Sequence, residues 1–283
     1  MTVSINTVLL HARQRLAGVL RPALDAEILL AHSLETSRSF LYANPELALP
    51  DERIKTFDRL LQGRVNGTPI AHLTRLREFW SLALEVSPDT LIPRPETELL
   101  VEAALNLIPA NTRCRVLDLG TGSGAVALAI ASERQDAQII AVDISEPALE
   151  VARSNAARLN IANIEFLISN WFKSLSSKFE VVVSNPPYIA AGDAHLHQGD
   201  LRFEPKLALV SGADGLDAIR QIISGSNKAL HSGGHILLEH GFEQGAAVRS
   251  LLCEGGFREV TTLRDLESRE RVTVARHSAQ SND

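Results

Sequence analysis

Apolar residues recur at helical spacing through the first seventy-odd residues, and then the period changes. Val8, Leu9, Ala12 and Leu16 mark one stripe, and Ala26, Leu29, Leu30 and Ser33 a second. Ile54, Phe57, Leu61 and Val65 mark a third. Repeats every three or four positions belong to one face of an α-helix. Breaks fall at 18–22, Asn44-Pro45, Pro50 and Gly67-Thr68-Pro69, where glycine frees the backbone and proline removes a donor. Residues 1–73 are therefore expected to form a small helical bundle. Phe79, Leu82, Leu84 and Val86 then alternate in part over 78–86, and Ser87-Pro88-Asp89 follows as a turn. That pattern predicts a β-hairpin linker over 74–94.

From residue 95 onward, strands and helices alternate. Pro95 suits a first helical position, with Glu96 and Glu98 in the first turn. Strand-like runs fall at 115–119, 138–142, 164–168, 181–184, 235–239, 259–263 and 271–275. Helix-like segments at 126–134, 146–159 and 216–230 lie among the first five strands, and 243–254 precedes the last two. This is an α/β pattern, predicting a doubly wound sheet over 95–283 with ligands at the strand C-termini. The tail 277–283 is expected to fray.

Composition narrows the class. The chain has 283 residues, 45% of them hydrophobic and 22% charged, enough to bury a core. A formal charge of −6 and a pI near 5.9 argue against a dedicated duplex DNA binder, which presents a basic face. Cys114 and Cys253 share no CxxC spacing, so neither a disulfide framework nor a structural zinc site is expected. No apolar run approaches the roughly 18 residues of a membrane span. His11, Arg13 and Arg15 interrupt the N-terminal apolar face, so no signal peptide is expected and the location is read as cytoplasmic.

Candidate chemistry lies in two motifs about sixty residues apart. The first is Asp118-Leu119-Gly120-Thr121-Gly122-Ser123-Gly124, between a strand and a helix. Glycines there allow positive φ and close ligand approach. Asp143 ends the next strand, nineteen residues past Gly124, where a carboxylate can accept both hydroxyls of a ribose. An S-adenosylmethionine site, a dinucleotide site and an empty turn all fit these glycines, since Gly120, Gly122 and Ala125 also satisfy G-x-G-x-x-A. Asp118 tilts the choice, because it can pair with the ammonium of a methionine moiety that NAD lacks. Ser169-Asn170-Trp171-Phe172 follows the third strand. There Trp171 can pack on an adenine or serve as a core aromatic.

The second motif, Asn185-Pro186-Pro187-Tyr188, leaves the fourth strand. An amide or exocyclic aromatic nitrogen is a poor nucleophile because its lone pair is delocalised. The Asn185 side-chain oxygen can accept one N–H and the Pro186 carbonyl the other. Two acceptors orient the nitrogen and favour pyramidalisation. The prolines fix the backbone, and Tyr188 can pack flat on the planar group. Alone, the tetrapeptide is also an ordinary loop.

In this order and spacing the motifs resemble S-adenosylmethionine-dependent methyltransferases that modify a planar nitrogen, whose fold is a seven-stranded Rossmann-like sheet. The whole chain resembles one family, the HemK/PrmC protein-(glutamine-N5) methyltransferases. The resemblance is carried by Asp25-Ala26-Glu27-Ile28-Leu29-Leu30, Pro69-Ile70-Ala71-His72-Leu73 and Arg77-Glu78-Phe79-Trp80. It continues through Leu91-Ile92-Pro93-Arg94-Pro95-Glu96-Thr97-Glu98 and Asn185-Pro186-Pro187-Tyr188-Ile189. Phe203-Glu204-Pro205 and Leu237-Leu238-Glu239-His240-Gly241 complete it. It implies a substrate, the glutamine of a Gly-Gly-Gln loop in class I peptide-chain release factors, and a product, N5-methylglutamine.

The resemblance also implies site residues. Gly120, Thr121, Gly122, Ser123, Gly124, Asp143, Trp171 and Asn185 would contact S-adenosylmethionine, whose product is S-adenosylhomocysteine. Asn185, Pro186, Pro187 and Tyr188 would hold the substrate amide, with Asn185, Pro186 and Tyr188 as the catalytic set. The helical bundle would help hold the release factor, and a monomer without nucleic-acid, membrane or metal partners is expected. Two positions depart from the pattern. Asn170 stands where aspartate is common, which bears on the adenine contact, and Arg75 where glycine is frequent, which bears on the hairpin turn. An adenine-N6 DNA or RNA methyltransferase is the alternative. Arg94, Glu239 and the segment 189–212 are open: Arg94 steers substrate or braces the linker, Glu239 orients the Asn185 loop or caps the sheet, and the segment is a lid or a static loop.

Overall fold

The computed structural model describes residues 3–278. The chain divides into two compact units. One takes the chain up to Leu76 together with His195–Phe203; the other takes Arg77–Ala194 and the chain from Glu204 onward.

The first unit carries helices α1 (Ile5–Arg15), α2 (Pro22–Ser33), α3 (Arg38–Ala43), α4 (Asp51–Val65) and α5 (Ile70–Thr74). Ser4 and Ser37 cap α1 and α3 by accepting from the Thr7 and Phe40 amides, and Pro22 opens α2 where no donor is needed. The three apolar stripes lie on α1, α2 and α4 and close a core around Ile5, Leu29, Leu30, Phe57 and Leu61. Buried Asp25 accepts from Arg64 at 2.7 Å, and buried Glu27 pairs with Arg13 and Arg38. Arg64 also faces Asp200 at 3.7 Å, one tie that keeps the distant segment His195–Phe203 in this unit. Arg75 caps α5 in the left-handed region at φ 58°. It is a helix terminus and not part of the hairpin turn, which corrects the expectation; glycine adopts this conformation at least cost.

The hairpin pairs β1 (Leu76–Phe79) with β2 (Leu82–Glu85). Its two-residue turn is Trp80-Ser81, with φ of 52° and 59°, as a type I′ turn requires. Such a turn usually takes Asn-Gly. Trp80 is held there instead by hydrogen bonds, its amide donating to Glu98 at 2.9 Å and its indole to Glu133 at 3.0 Å.

The sheet is built from β3 (Arg115–Leu119), β4 (Gln138–Asp143), β5 (Ile164–Ile168), β6 (Phe179–Ser184), β7 (Leu230–Glu239), β8 (Phe257–Arg264) and β9 (Glu270–His277). Their order is β5-β4-β3-β6-β7-β9-β8, and β9 alone runs antiparallel to its neighbours. This is the mostly parallel seven-stranded sheet expected. Helices α6 (Glu98–Leu107), α7 (Ala125–Glu133), α8 (Glu146–Arg158), α9 (Asp217–Ala229) and α10 (Gly245–Glu254) complete the unit. Strand residues alternate between two cores. Val116, Val181 and Val183 pack with Leu100 and Leu128, whereas Leu117, Leu119 and Val182 pack with Ile219, Ile222 and Leu238. Of the expected frayed tail, His277 ends β9 and Ser278 Oγ donates to the Gly256 carbonyl at 2.9 Å, so neither frays; 279–283 lie outside the described residues.

Candidate active site

Strand register brings the two motifs together. β3 and β6 are neighbours in parallel, with Leu119 opposite Ser184, so Gly120 and Asn185 leave adjacent strands at the same end. Ser184 Oγ donates to the Leu119 carbonyl at 2.6 Å and ties the two exits. Here the strand order reverses, the place where open α/β sheets bind ligands.

The glycine turn is shaped by its backbone. Gly120, Gly122 and Gly124 have φ of 75°, 56° and 85°. The Gly120 and Thr121 amides donate to the Val142 carbonyl at 2.8 and 3.0 Å. The Gly122 amide donates to Asp143 Oδ2 at 2.8 Å. Gly124 caps α7, and a Cβ there would lie 3.0 Å from Leu128 and 3.2 Å from Ala152. Asn155, fully buried on α8, accepts from the Glu85 amide at 2.6 Å. Its Nδ2 donates to the carbonyls of Glu85 and Ser123 at 2.9 and 3.0 Å. One amide thus joins the hairpin to the glycine turn.

Two carboxyls face this turn. Burial pushes Asp118 up to about 7; Asp143 adds to the rise, and the hydrogen bond from Thr121 Oγ1, 2.7 Å, opposes it. Burial also raises Asp143, against hydrogen bonds from the Ser145 and Gly122 amides. A cation would relieve both. Trp171 adopts φ 52° and sets its ring 3.6 Å from where a Gly120 side chain would begin. Ser169 Oγ holds that bend by donating to the Trp171 carbonyl at 2.7 Å.

Beside them, Asn185 Nδ2 donates to Thr97 Oγ1 at 3.1 Å, which leaves Oδ1 as the acceptor end. Pro186 is buried. The Tyr188 hydroxyl points to Glu239 Oε1 at 3.5 Å. Burial, with the nearby Glu239 charge, holds the phenol well above its usual range. Gln244 Nε2 donates to the Tyr188 carbonyl at 3.0 Å and braces the loop from behind.

A cavity of about 410 Å³ opens over these strand ends, within the range of roughly 300–1,000 Å³ usual for small-molecule sites. Gly120, Thr121, Gly122, Ser123, Asp143, Trp171, Asn185 and Pro187 line it, together with Asp118 and Asn170. Gly124, Pro186 and Tyr188 are not among the residues that line it. Sequence reasoning missed Thr97 and the linker residues Asp89, Thr90, Leu91 and Pro93, which also line it. Pro205, Leu207, Val210 and Ser211 form another wall. That segment is pinned by a bridge between Ile189 and Val210, and the Ile189 amide donates to Leu209 at 2.9 Å. Arg94 donates to buried Glu204, which also accepts from the Ile92 amide at 3.2 Å; the arginine braces the linker. His195 and His197 lie in a 3₁₀ turn, and among the described residues no three His, Cys, Asp or Glu side chains gather as a metal site.

A family model described as the PrmC N-terminal domain matches residues 7–74, and one described as a methyltransferase domain matches residues 110–254. The release factor glutamine methyltransferase of Escherichia coli K12 is 53% identical over 257 residues, covering 90% of this chain and 92% of that one. The protein of the same name from Xylella fastidiosa Temecula1 is 49% identical, covering 89% and 92%. A Thermus thermophilus 16S rRNA N2 methyltransferase, solved with AdoMet and guanosine, shares the fold. Its TM-score is 0.54 at 21% identity, covering 71% of this chain and 49% of that one. Identity of this order, sustained along nearly the whole of both chains, means that the protein belongs to the release factor glutamine methyltransferase family.

Proposed function

We propose that this protein methylates the side-chain amide nitrogen of the glutamine in the Gly-Gly-Gln loop of class I release factors. The observation that carries the reading is Asn185, held by Thr97 with its acceptor end free on the wall of a cavity that Asp118, Asp143 and Trp171 share.

S-adenosylmethionine fits this cavity and supplies an electrophilic methyl on a sulfonium. Asp143 accepts from the Gly122 and Ser145 amides, with the Ile144 amide also directed at it, and its remaining acceptor capacity, out of about four sites on a carboxylate, is left for the ribose hydroxyls. Asp118, which accepts from Thr121 Oγ1 and has the Ala127 amide directed at it, receives the ammonium. Trp171 flanks the adenine, and Asn170 offers its edge an amide. Asn185 Oδ1 and the Pro186 carbonyl accept the two N–H bonds of the glutamine amide, which turns the nitrogen lone pair toward the methyl. Tyr188, tied to Glu239, shapes the wall behind them. No strong base is required, because the nitrogen sheds its proton readily once methylated.

The helical unit, to which the PrmC N-terminal match falls, is assigned the docking of the release factor. The enzyme is taken to act as a cytoplasmic monomer, without nucleic-acid or membrane partners. Among the described residues no helix is long and apolar enough to cross a membrane. An adenine-N6 nucleic-acid methyltransferase finds no support in the relatives or in a charge of −6. Methyl-labelled S-adenosylmethionine decides between them. Label should enter an unmodified class I release factor and not one with Gly-Gly-Ala in that loop. Label entering adenine-containing nucleic acid, with none in the release factor, would overturn the reading.

A further inference from the structure

We propose that Thr97 is a positioning residue of the methyl transfer: its hydroxyl, backed by Glu239, fixes the Asn185 amide with Oδ1 toward the substrate nitrogen. The inference deepens the glutamine methyltransferase reading and rests on it.

An amide side chain has two ends of nearly equal shape, and its partners decide which faces where. Asn185 meets Thr97 Oγ1 at 3.1 Å. A hydroxyl can accept from Nδ2 or donate to Oδ1, so Thr97 alone leaves the amide undetermined. Glu239 removes the ambiguity. Glu239 is 1% exposed. The Thr97 side chain lies close enough to act on it, and the Tyr188 hydroxyl is at a long 3.5 Å from Oε1. Oε2 has no partner of ordinary geometry among the described residues. An ionised carboxylate only accepts, and a buried one short of donors is costly. The Thr97 proton therefore turns toward Glu239, and its lone pairs turn toward Asn185 Nδ2. Reversing the amide would draw that proton to Asn185 and strip Glu239 of a donor it lacks elsewhere. The charge of Glu239 thus sets which atom of Asn185 the substrate meets. Thr97 lines the cavity and Glu239 does not, so the carboxylate acts through the hydroxyl. Burial pushes Glu239 up to about 7, with Arg271 opposing the rise and Glu96 adding to it. The arrangement is complete on the alkaline side of neutrality.

The test uses the full chain at pH 8, with wild type, Thr97→Val and Thr97→Ser assayed on a folded, unmodified release factor. Valine keeps the shape and loses the hydroxyl; serine keeps the hydroxyl. In T97V, kcat should fall about 10- to 100-fold, the scale of a misplaced reacting group. KM for the release factor and affinity for S-adenosylhomocysteine should stay within about threefold of wild type, and T97S should recover kcat to the same margin. Wild-type kcat in T97V, equal losses in both variants, or a loss confined to KM or cofactor affinity would each overturn the proposal. Should T97V fail to fold, T97S decides alone: kcat within about threefold of wild type supports it and a tenfold loss overturns it. A wild-type enzyme inert on the release factor would instead sink the functional reading beneath it.

Discussion

Each functional side chain is set by a small number of partners, and these give single-residue effects. In the proposed mechanism Asn185 contributes the acceptor that orients the nitrogen. Asn185→Ala should lower kcat at least about 100-fold, the loss seen when one positioned polar group is removed. Calorimetry should show cofactor affinity changed far less; parallel losses would mean Asn185 mainly binds the cofactor. Asp118 gives a pH effect of defined sign. With its carboxyl pushed up to about 7 by burial, it is neutral below that value and charged above it. A cationic ammonium prefers the charged form, so affinity for S-adenosylhomocysteine should rise with pH through about 7 and level off above. Asp118→Asn should flatten that limb; an unchanged limb would assign it to another group. Asn185, Asp143 and the glycines were legible because each sits in a short motif at a strand end. Thr97 was not, because its partner Asn185 lies 88 residues away and the packing of α6 on β6 and β7 brings them together.

Whole elements explain why the glycine turn holds its shape. Gly124 combines φ 85° with a would-be Cβ 3.0 Å from Leu128. Gly124→Ala should cost about 1–3 kcal/mol, the usual strain of such a backbone in a non-glycine residue, and should weaken cofactor binding. An unchanged melting temperature would mean α7 and α8 shift freely. Asn155→Ala removes four side-chain hydrogen bonds at a fully buried site and should cost about 1–3 kcal/mol. A loss in stability with no loss in cofactor affinity would show that the hairpin, and not the turn, depends on it. Long periodic elements such as α1, α2, α4 and β3 could be read directly. The six-residue α3 and five-residue α5 are too short to display a period. The hairpin turn was hidden because Trp80-Ser81 carries no turn signature and is held by Glu98 and Glu133 from distant segments.

For the molecule as a whole, the α/β alternation revealed the seven-stranded sheet, because parallel strands buried on both faces leave apolar runs such as Val181-Val182-Val183. A linear division could not reveal that His195–Phe203 clusters with the helical unit, since ties such as Arg64 with Asp200 have no local sequence signal. The buried carboxyls also act on global stability. Asp118 and Glu239 are both raised to about 7 by burial, so over the range from their ordinary values to about 7 the folded chain binds more protons than the unfolded one. That contribution is present at low pH and is lost as pH rises through about 7. The ligand-free protein should lose stability from pH 5 to 8, and Asp118→Asn should reduce the slope; chemical denaturation across this range checks it, and a slope untouched by the substitution would contradict it. The reaction itself is tested most directly by peptide mass spectrometry of an unmodified class I release factor incubated with enzyme and S-adenosylmethionine. One added methyl on the Gly-Gly-Gln glutamine, absent with Asn185→Ala, is the predicted result. A folded release factor left unmethylated by an enzyme that still binds S-adenosylmethionine would contradict it.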